Sequence, residues 1–171
     1  MGMILLSPVL VAYKLKLVPN DRAKQMLLSY FFKGMREAEF KNIAKSFSLK
    51  HIDSMLRPGA LDQIRWHQSH GHRVIIVSAS LECWLKPWCD RNGLDLIATR
   101  MDFVGGLVTG RLLTKNCHGK EKVSRIRKAV DLGECREIYA YGDSRGDKEM
   151  LAIASKAYYR PFCRLPVWRD G

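Results

Sequence analysis

Ile138-Tyr139-Ala140-Tyr141-Gly142-Asp143-Ser144-Arg145-Gly146-Asp147 reads as a short apolar strand that runs straight into a turn presenting two carboxylates. Asp143 stands at the strand's C-terminal end after a glycine, and Asp147 opens a helix. That placement suits a hard cation and a phosphate ester. Taken alone, the pair is explained as well by Asp143 as a turn former and Asp147 as an N-cap, so the flanking chain has to decide.

On the C-terminal side a helix over about 147 to 154 and a strand at Ala157-Tyr158-Tyr159 precede the tail from Pro161 to Gly171. On the N-terminal side Val123, Ile126 and Val130 mark a helix that starts near Lys120 and ends near Gly133. Before it, Met101-Asp102-Phe103-Val104, Gly105-Gly106 and Leu107-Val108-Thr109-Gly110 have the form of a hairpin with a diglycine turn. Leu94 to Ala98 makes a strand, a helix covers about 81 to 91, and Gly93 stops it. Arg73-Val74-Ile75-Ile76-Val77 is a continuous β-branched run of the kind buried on both faces of a parallel sheet, and it ends at Ser78-Ala79-Ser80. A helix over about 60 to 70 leads into it. Repeated strand-helix-strand units imply an open, mostly parallel α/β sheet with helices on both faces, whose ligands sit at the C-terminal ends of the strands.

Residues 1–57 have a different character. Asn20 is placed to cap a helix with an apolar stripe of Ala23, Met26, Leu27, Tyr30 and Phe31, which Gly34 stops. A second helix carries Phe40, Ile43, Ala44 and Phe47 on one stripe. Both stripes are expected to pack in a core. Pro58-Gly59 then punctuates the chain, giving an all-helical unit over 1–57 and an α/β unit over 58–171. Met3 to Tyr13 is apolar, too short to span a bilayer, and lacks a basic leader or small-residue cleavage pattern; it reads as a buried or interfacial helix.

With 29 Lys+Arg against 17 Asp+Glu the chain carries +12, which favours anionic partners. The basic residues are scattered as on solvated helix faces and accompany no nucleic-acid module, so nucleic acid is not expected as a partner. Membrane-surface contact through the apolar N-terminus is the remaining reading of that charge. Cys83, Cys89, Cys117, Cys135 and Cys163 are odd in number and form no CxxC pair, which argues against a disulfide framework or a zinc site and for a reducing cytoplasm.

Three features fall where such a sheet places its ligands. Ser78 follows an apolar strand and precedes a helix, so its hydroxyl and the backbone N–H at Ala79 suit a phosphate oxygen, although Ser78 or Ser80 as a plain helix cap explains them too. Lys120 and Lys122 begin a helix, an unfavourable place for a cation without a local anion or solvation. Asp143 and Asp147 complete the set.

In order, Val74-Ile75-Ile76-Val77-Ser78-Ala79-Ser80, then Asn116-Cys117-His118-Gly119-Lys120-Glu121-Lys122-Val123, then Tyr141 to Leu151 resemble the second, third and fourth motifs of the haloacid dehalogenase superfamily. The subgroup they are similar to contains phosphoserine phosphatase, and residues 1–57 resemble its helical cap. The resemblance implies a Mg²⁺-dependent phosphatase acting on a small phosphorylated metabolite through an aspartyl-phosphate. It implies that Ser78 and Ala79 bind the phosphoryl group and that Lys122, with Lys120 as the alternative, stabilises it. It further implies that Asp143 ligates Mg²⁺ and that Asp147 supports the metal's shell and the loop. The family's first motif, a strand ending in two aspartates one residue apart that supplies the nucleophile, has no counterpart here. Asp21, Asp53 and Asp62, the aspartates before residue 73, sit in helical or linker context. The expectation is therefore a chain starting at an internal methionine of a longer parent, lacking the first core strand, exposing the edges of its neighbours, and inactive alone. The alternative is a non-catalytic phosphate-binding or regulatory domain.

Overall fold

The computed structural model describes residues 20–162. The expectations for Met3 to Tyr13, the capping side chain of Asn20, Cys163 and the end of the tail lie outside the described residues. In chain order the elements are α1 (Asn20–Phe32), α2 (Glu37–Met55), α3 (Ala60–Ser69), β1 (Ile75–Leu81), α4 (Glu82–Arg91), β2 (Asp95–Thr99), β3 (Met101–Val104), β4 (Leu107–Leu112), α5 (Lys120–Ala129), β5 (Tyr139–Gly142), a 3-10 turn (Arg145–Asp147), α6 (Lys148–Ala152) and β6 (Lys156–Tyr159). Among the described residues no helix is long and apolar enough to cross a membrane.

The expected parallel sheet is present in two halves. β1 pairs in parallel with β2, from Ile75 opposite Asp95 to Ser78 opposite Ala98, and β5 pairs in parallel with β6, from Tyr139 opposite Lys156 to Gly142 opposite Tyr159. β3 and β4 form the antiparallel hairpin, with Gly105 and Gly106 at the turn. Among the described residues no strand joins β1 to β5. Instead the two face a shared cavity of about 830 Å³, lined by Arg73 to Ser80 on one side and by Glu137 to Ser144 on the other. Among the described residues each of these two strands therefore has one edge without a strand neighbour.

Two apolar clusters hold the helices in place. Leu28, Phe40, Leu81, Met101 and Val108 join α1 and α2 to the hairpin and to the end of β1. Ile52, Trp88, Cys89 and Leu94 join α2 to α4. The α2–α4 contact is also polar: Trp88 N donates to the buried Ser48 Oγ at 3.0 Å, and Trp88 Nε1 donates to Asp53 Oδ1 at 2.7 Å. α3 is tied to β5 by His67, whose Nε2 lies 2.9 Å from the Tyr141 hydroxyl and whose Nδ1 lies 2.8 Å from His72 Nδ1. Burial, with the nearby His72 and His70, pushes the His67 pKa down.

The predicted helical stripes need correction. On α1 the buried residues are Ala23 and Leu28, whereas Met26, Tyr30 and Phe31 are 48%, 47% and 55% exposed. On α2 the buried seam is Phe40, Ala44, Ser48 and Ile52, and Ile43 is exposed. The reason is tertiary. α1 is registered on β4 by Gln25 Oε1 accepting from Leu112 N at 3.1 Å and by Ser29 Oγ donating to Gly110 O at 3.3 Å, which turns the Ala23 and Leu28 side inward. Gly110 makes this approach possible, since a Cβ there would lie 2.5 Å from Ser29 Cα.

Candidate active site

The C-terminal end of the slot between β1 and β5 gathers the sequence-predicted residues. Ser78, Ala79, Lys122, Asp143 and Asp147 all line the same cavity. β1 runs past the serines to Leu81, and Leu81 is the N-cap of α4, so neither Ser78 nor Ser80 caps that helix. Ser78 Oγ instead accepts from Ser80 N at 3.1 Å. This hydrogen bond falls where the register of the strand shifts between Ser78 and Leu81, beside the cavity.

Gly142 is what lets Asp147 fold back. A Cβ at Gly142 would lie 2.6 Å from Asp147 Cβ, so any side chain there would push the carboxylate away. With glycine in place, Asp147 Oδ2 accepts from Asp143 N at 3.2 Å, Ser144 N at 3.0 Å and Ser144 Oγ at 2.6 Å. Asp147 Oδ1 accepts from Lys122 Nζ at 2.6 Å. Asp147 is thus the internal brace of the loop. Burial works to raise its pKa, but the hydrogen bonds from Lys122 and Ser144, with the Lys122 charge, carry it below the ordinary carboxylate value.

Lys122 spans the slot. Its side chain is 8% exposed, and besides Asp147 it donates to Val77 O on β1 at 2.8 Å. An ammonium has three N–H donors, so one remains for a ligand in the cavity. Lys120 is exposed and, unlike Lys122, does not line the cavity.

Asp143 projects from the loop with its side chain 50% exposed, 3.5 Å from Arg57 Nη2. Arg160, the one described non-glycine residue at positive φ (54°), donates from its backbone N to Gly142 O at 2.7 Å and from Nε to Asp143 O at 3.2 Å. Arg57, Ser144 and Arg160 were not singled out from the sequence. Arg57 and Arg160 lie far from the motifs and reach the loop only through the fold; Ser144, within the motif, carried the weak signal of a hydroxyl three residues before an acid.

The donor set fits a hard cation in part. Asp143 has a half-exposed carboxylate with only a long, solvent-screened ion pair to displace, while both oxygens of Asp147 are committed. Among the described residues no group of three or more His, Cys, Asp and Glu side chains is arranged to hold a metal. Mg²⁺ is satisfied by one or two carboxylates with waters and substrate oxygens, so Asp143 is a sufficient protein anchor only when a bound phosphate or a further carboxylate shares the ion.

Comparison with known proteins agrees with the architecture. A family model for haloacid dehalogenase-like hydrolases matches residues 2–152. Protein CicA of Caulobacter vibrioides is 36% identical over 168 residues, covering 97% of this chain and 75% of CicA. Among solved structures, a protein of unknown function from Bordetella pertussis Tohama I superposes with a TM-score of 0.77 at 23% identity, over 88% of this chain and 70% of that one. A substrate-bound phosphoserine phosphatase superposes with a TM-score of 0.58 at 19% identity, over 90% of this chain and 71% of that one. The split parallel sheet, the Lys122–Asp147 brace and these matches together place the chain in the haloacid dehalogenase-like hydrolase family, with the fold it shares with phosphoserine phosphatases.

Proposed function

We propose that this chain carries most of the active site of a phosphomonoester hydrolase acting on a small phosphorylated metabolite. The observation that carries the reading is the convergence of Ser78, Lys122, Asp143 and Asp147 at one end of one cavity, with Lys122 Nζ bridging Val77 O and Asp147 Oδ1. The Ser78 hydroxyl and the Ala79 N–H hold phosphoryl oxygens. Lys122 offers its remaining proton to the same group and offsets charge that builds there. Asp147 fixes Lys122 and the loop, so that Asp143 stands where it can anchor Mg²⁺. When bound, Mg²⁺ would neutralise phosphoryl charge and fix the orientation of the ester.

Among the described residues that line the cavity, none offers a free carboxylate to attack phosphorus. The acidic residues lining it are Asp143, Asp147 and Glu137, and Glu137 is held at the far end by Tyr139 and Lys156. The reading is therefore that these residues are inactive alone, and that an aspartate-bearing strand seated between β1 and β5 completes the enzyme. The test is hydrolysis of a chromogenic aryl phosphate with Mg²⁺, by the chain alone and with a peptide made of an apolar strand ending in two aspartates one residue apart. Turnover only with the peptide, lost on Asp143→Asn, is the expected result. Robust turnover by the chain alone, abolished by Asp143→Asn, would overturn the incompleteness while keeping the phosphatase. Binding of inorganic phosphate that depends on Ser78 and Lys122, with no turnover even when the peptide is seated, would favour the non-catalytic phosphate-binding domain.

A further inference from the structure

His67 of α3 and His72, which precedes β1, both line the slot, with their Nδ1 atoms 2.8 Å apart. An imidazole nitrogen either carries a proton or accepts one, so a contact this short holds a single proton between the two rings. Both rings are also tied to β5. His67 Nε2 lies 2.9 Å from the Tyr141 hydroxyl, and the His72 ring stacks on Tyr139 at 24° with centroids 5.6 Å apart. The pair thus connects the chain leading into β1 with β5 across the slot, and Tyr141 is followed directly by Gly142 and Asp143.

Proton counting fixes what this arrangement tolerates. With both rings neutral, the shared proton sits on one Nδ1, and His67 Nε2 either accepts from the Tyr141 hydroxyl or donates to it. One added proton lets His67 donate from Nδ1 to His72 and from Nε2 to Tyr141, so both hydrogen bonds survive. A second added proton sets N–H against N–H and one positive ring against another. The rings must then part, and because each is tied to β5, parting breaks at least one of the two ties.

Among the described residues no free carboxylate faces the pair to offset that charge. On α3, Gln63 Nε2 at 3.4 Å from His67 Nε2 is neutral, and His70 at the helix end adds to the positive side. From β5 the facing groups are Tyr139 and Tyr141. Glu137, beyond Tyr139, is held by the Tyr139 hydroxyl at 2.7 Å and by Lys156 of β6 at 3.0 Å, and Arg73, next to His72, is paired with Asp95 at 2.6 Å. Burial, with His72 and His70, holds the His67 pKa below its ordinary value. Its contribution to folding is therefore full above about pH 6.5 and declines as pH falls below that.

We infer that His67 and His72 are positioning residues that set β5, and with it Asp143, against β1, and that their shared proton makes this setting reversible by acid. The inference goes beyond the phosphatase reading and holds equally for a phosphate-binding domain.

The test is ¹⁵N–¹H NMR of the 171-residue chain from pH 8 to about pH 4.5, following the imidazole nitrogens and the backbone amides of Tyr139 to Ser144. It is run on Asp143→Asn as well, so that the loop's own carboxylate does not contribute. The pair is expected to take up two protons in separate steps, the first leaving the β5 amides in place and the second moving them together. In His72→Phe, which keeps a ring for Tyr139 and removes the shared proton, His67 takes up one proton and the β5 amides stay in place throughout. His72→Gln gives the same result if the phenylalanine variant fails to fold. In Tyr141→Phe the two steps remain, and the shift of the Gly142 and Asp143 amides falls by at least half. A single step shared by both imidazoles, no second step down to pH 4.5, or β5 amides that move equally without His72 overturns the inference. So does a second step that moves the Leu96 to Ala98 amides of β2 as much as those of β5, since that is general unfolding by acid.

Discussion

At the scale of single residues, the Lys122–Asp147 pair dominates. Asp147→Asn leaves a buried ammonium without its countercharge, and loss of one partner of such a pair costs about 3 kcal/mol or more. Urea unfolding at pH 7 should show that loss. The pH dependence follows from the direction of the Asp147 shift. Its pKa is lower in the folded chain than unfolded, so its contribution is fully present above the unfolded value near 4 and is lost as pH falls through the folded value. The difference between wild type and Asp147→Asn should accordingly shrink at pH 3. Lys24 on α1, whose Nζ donates to the neutral Ala79 O and Asn116 Oδ1, has the opposite character. Its charge costs stability below about pH 8 and ceases to do so as pH rises toward 10.5, so Lys24→Met should unfold at a higher urea midpoint than wild type at pH 7, by a margin that narrows at pH 10. A plain structural latch between α1 and β1 would give a less stable variant at both. The glycine and the two aspartates of the loop were legible in the sequence because a tight turn, a brace and a strand end act within six residues. The neutral surroundings of Lys24 were not, because they are assembled from residues 55 and 92 positions away.

At the scale of elements, the order of helices and strands was legible throughout the described residues, with ends displaced by only a few residues. The strand after Arg73 is the instructive case: its β-branched run ends at Val77, yet pairing with β2 carries it to Leu81 through a shift in register. The face of α1 was not legible. Ala23, Met26, Leu27, Tyr30 and Phe31 satisfy a helical stripe as well as the inward-turned set does, and only β4 chooses between them. Gly110 is where that choice is enforced. At φ 81°, with Ser29 backbone 2.5 Å from an added Cβ, Gly110→Ala should cost roughly 2–4 kcal/mol through left-handed strain and overpacking. Gly106→Ala, at φ 73° with nothing within 4 Å of the Cβ, should cost about 1 kcal/mol. Thermal unfolding of the two variants separates backbone strain from the close approach of α1, and equal losses would mean that α1 is free to shift.

At the scale of the whole molecule, the slot between β1 and β5 separates the two halves of the sheet. Its existence was foreseen by analogy with a family pattern, as was the part of its lining made by Ser78, Ala79, Lys122, Asp143 and Asp147, whereas His67, Arg57 and Arg160, which reach it from three separate segments, were not. The slot also gives the chain an unusual response to ionic strength. Open strand edges attract one another, and at low salt the net charge of +12 holds two copies apart. Added salt shortens the reach of that repulsion, to about 10 Å at 0.1 M, without weakening hydrogen bonds between strand edges. Sedimentation velocity should therefore show association that grows as sodium chloride is raised, the reverse of what a basic protein does on a polyanion. An acidic strand peptide seated in the slot should suppress it. In colloidal terms, the positive charge acts as a chaperone for the open strand edges among the described residues, and its protection is conditional on the solvent.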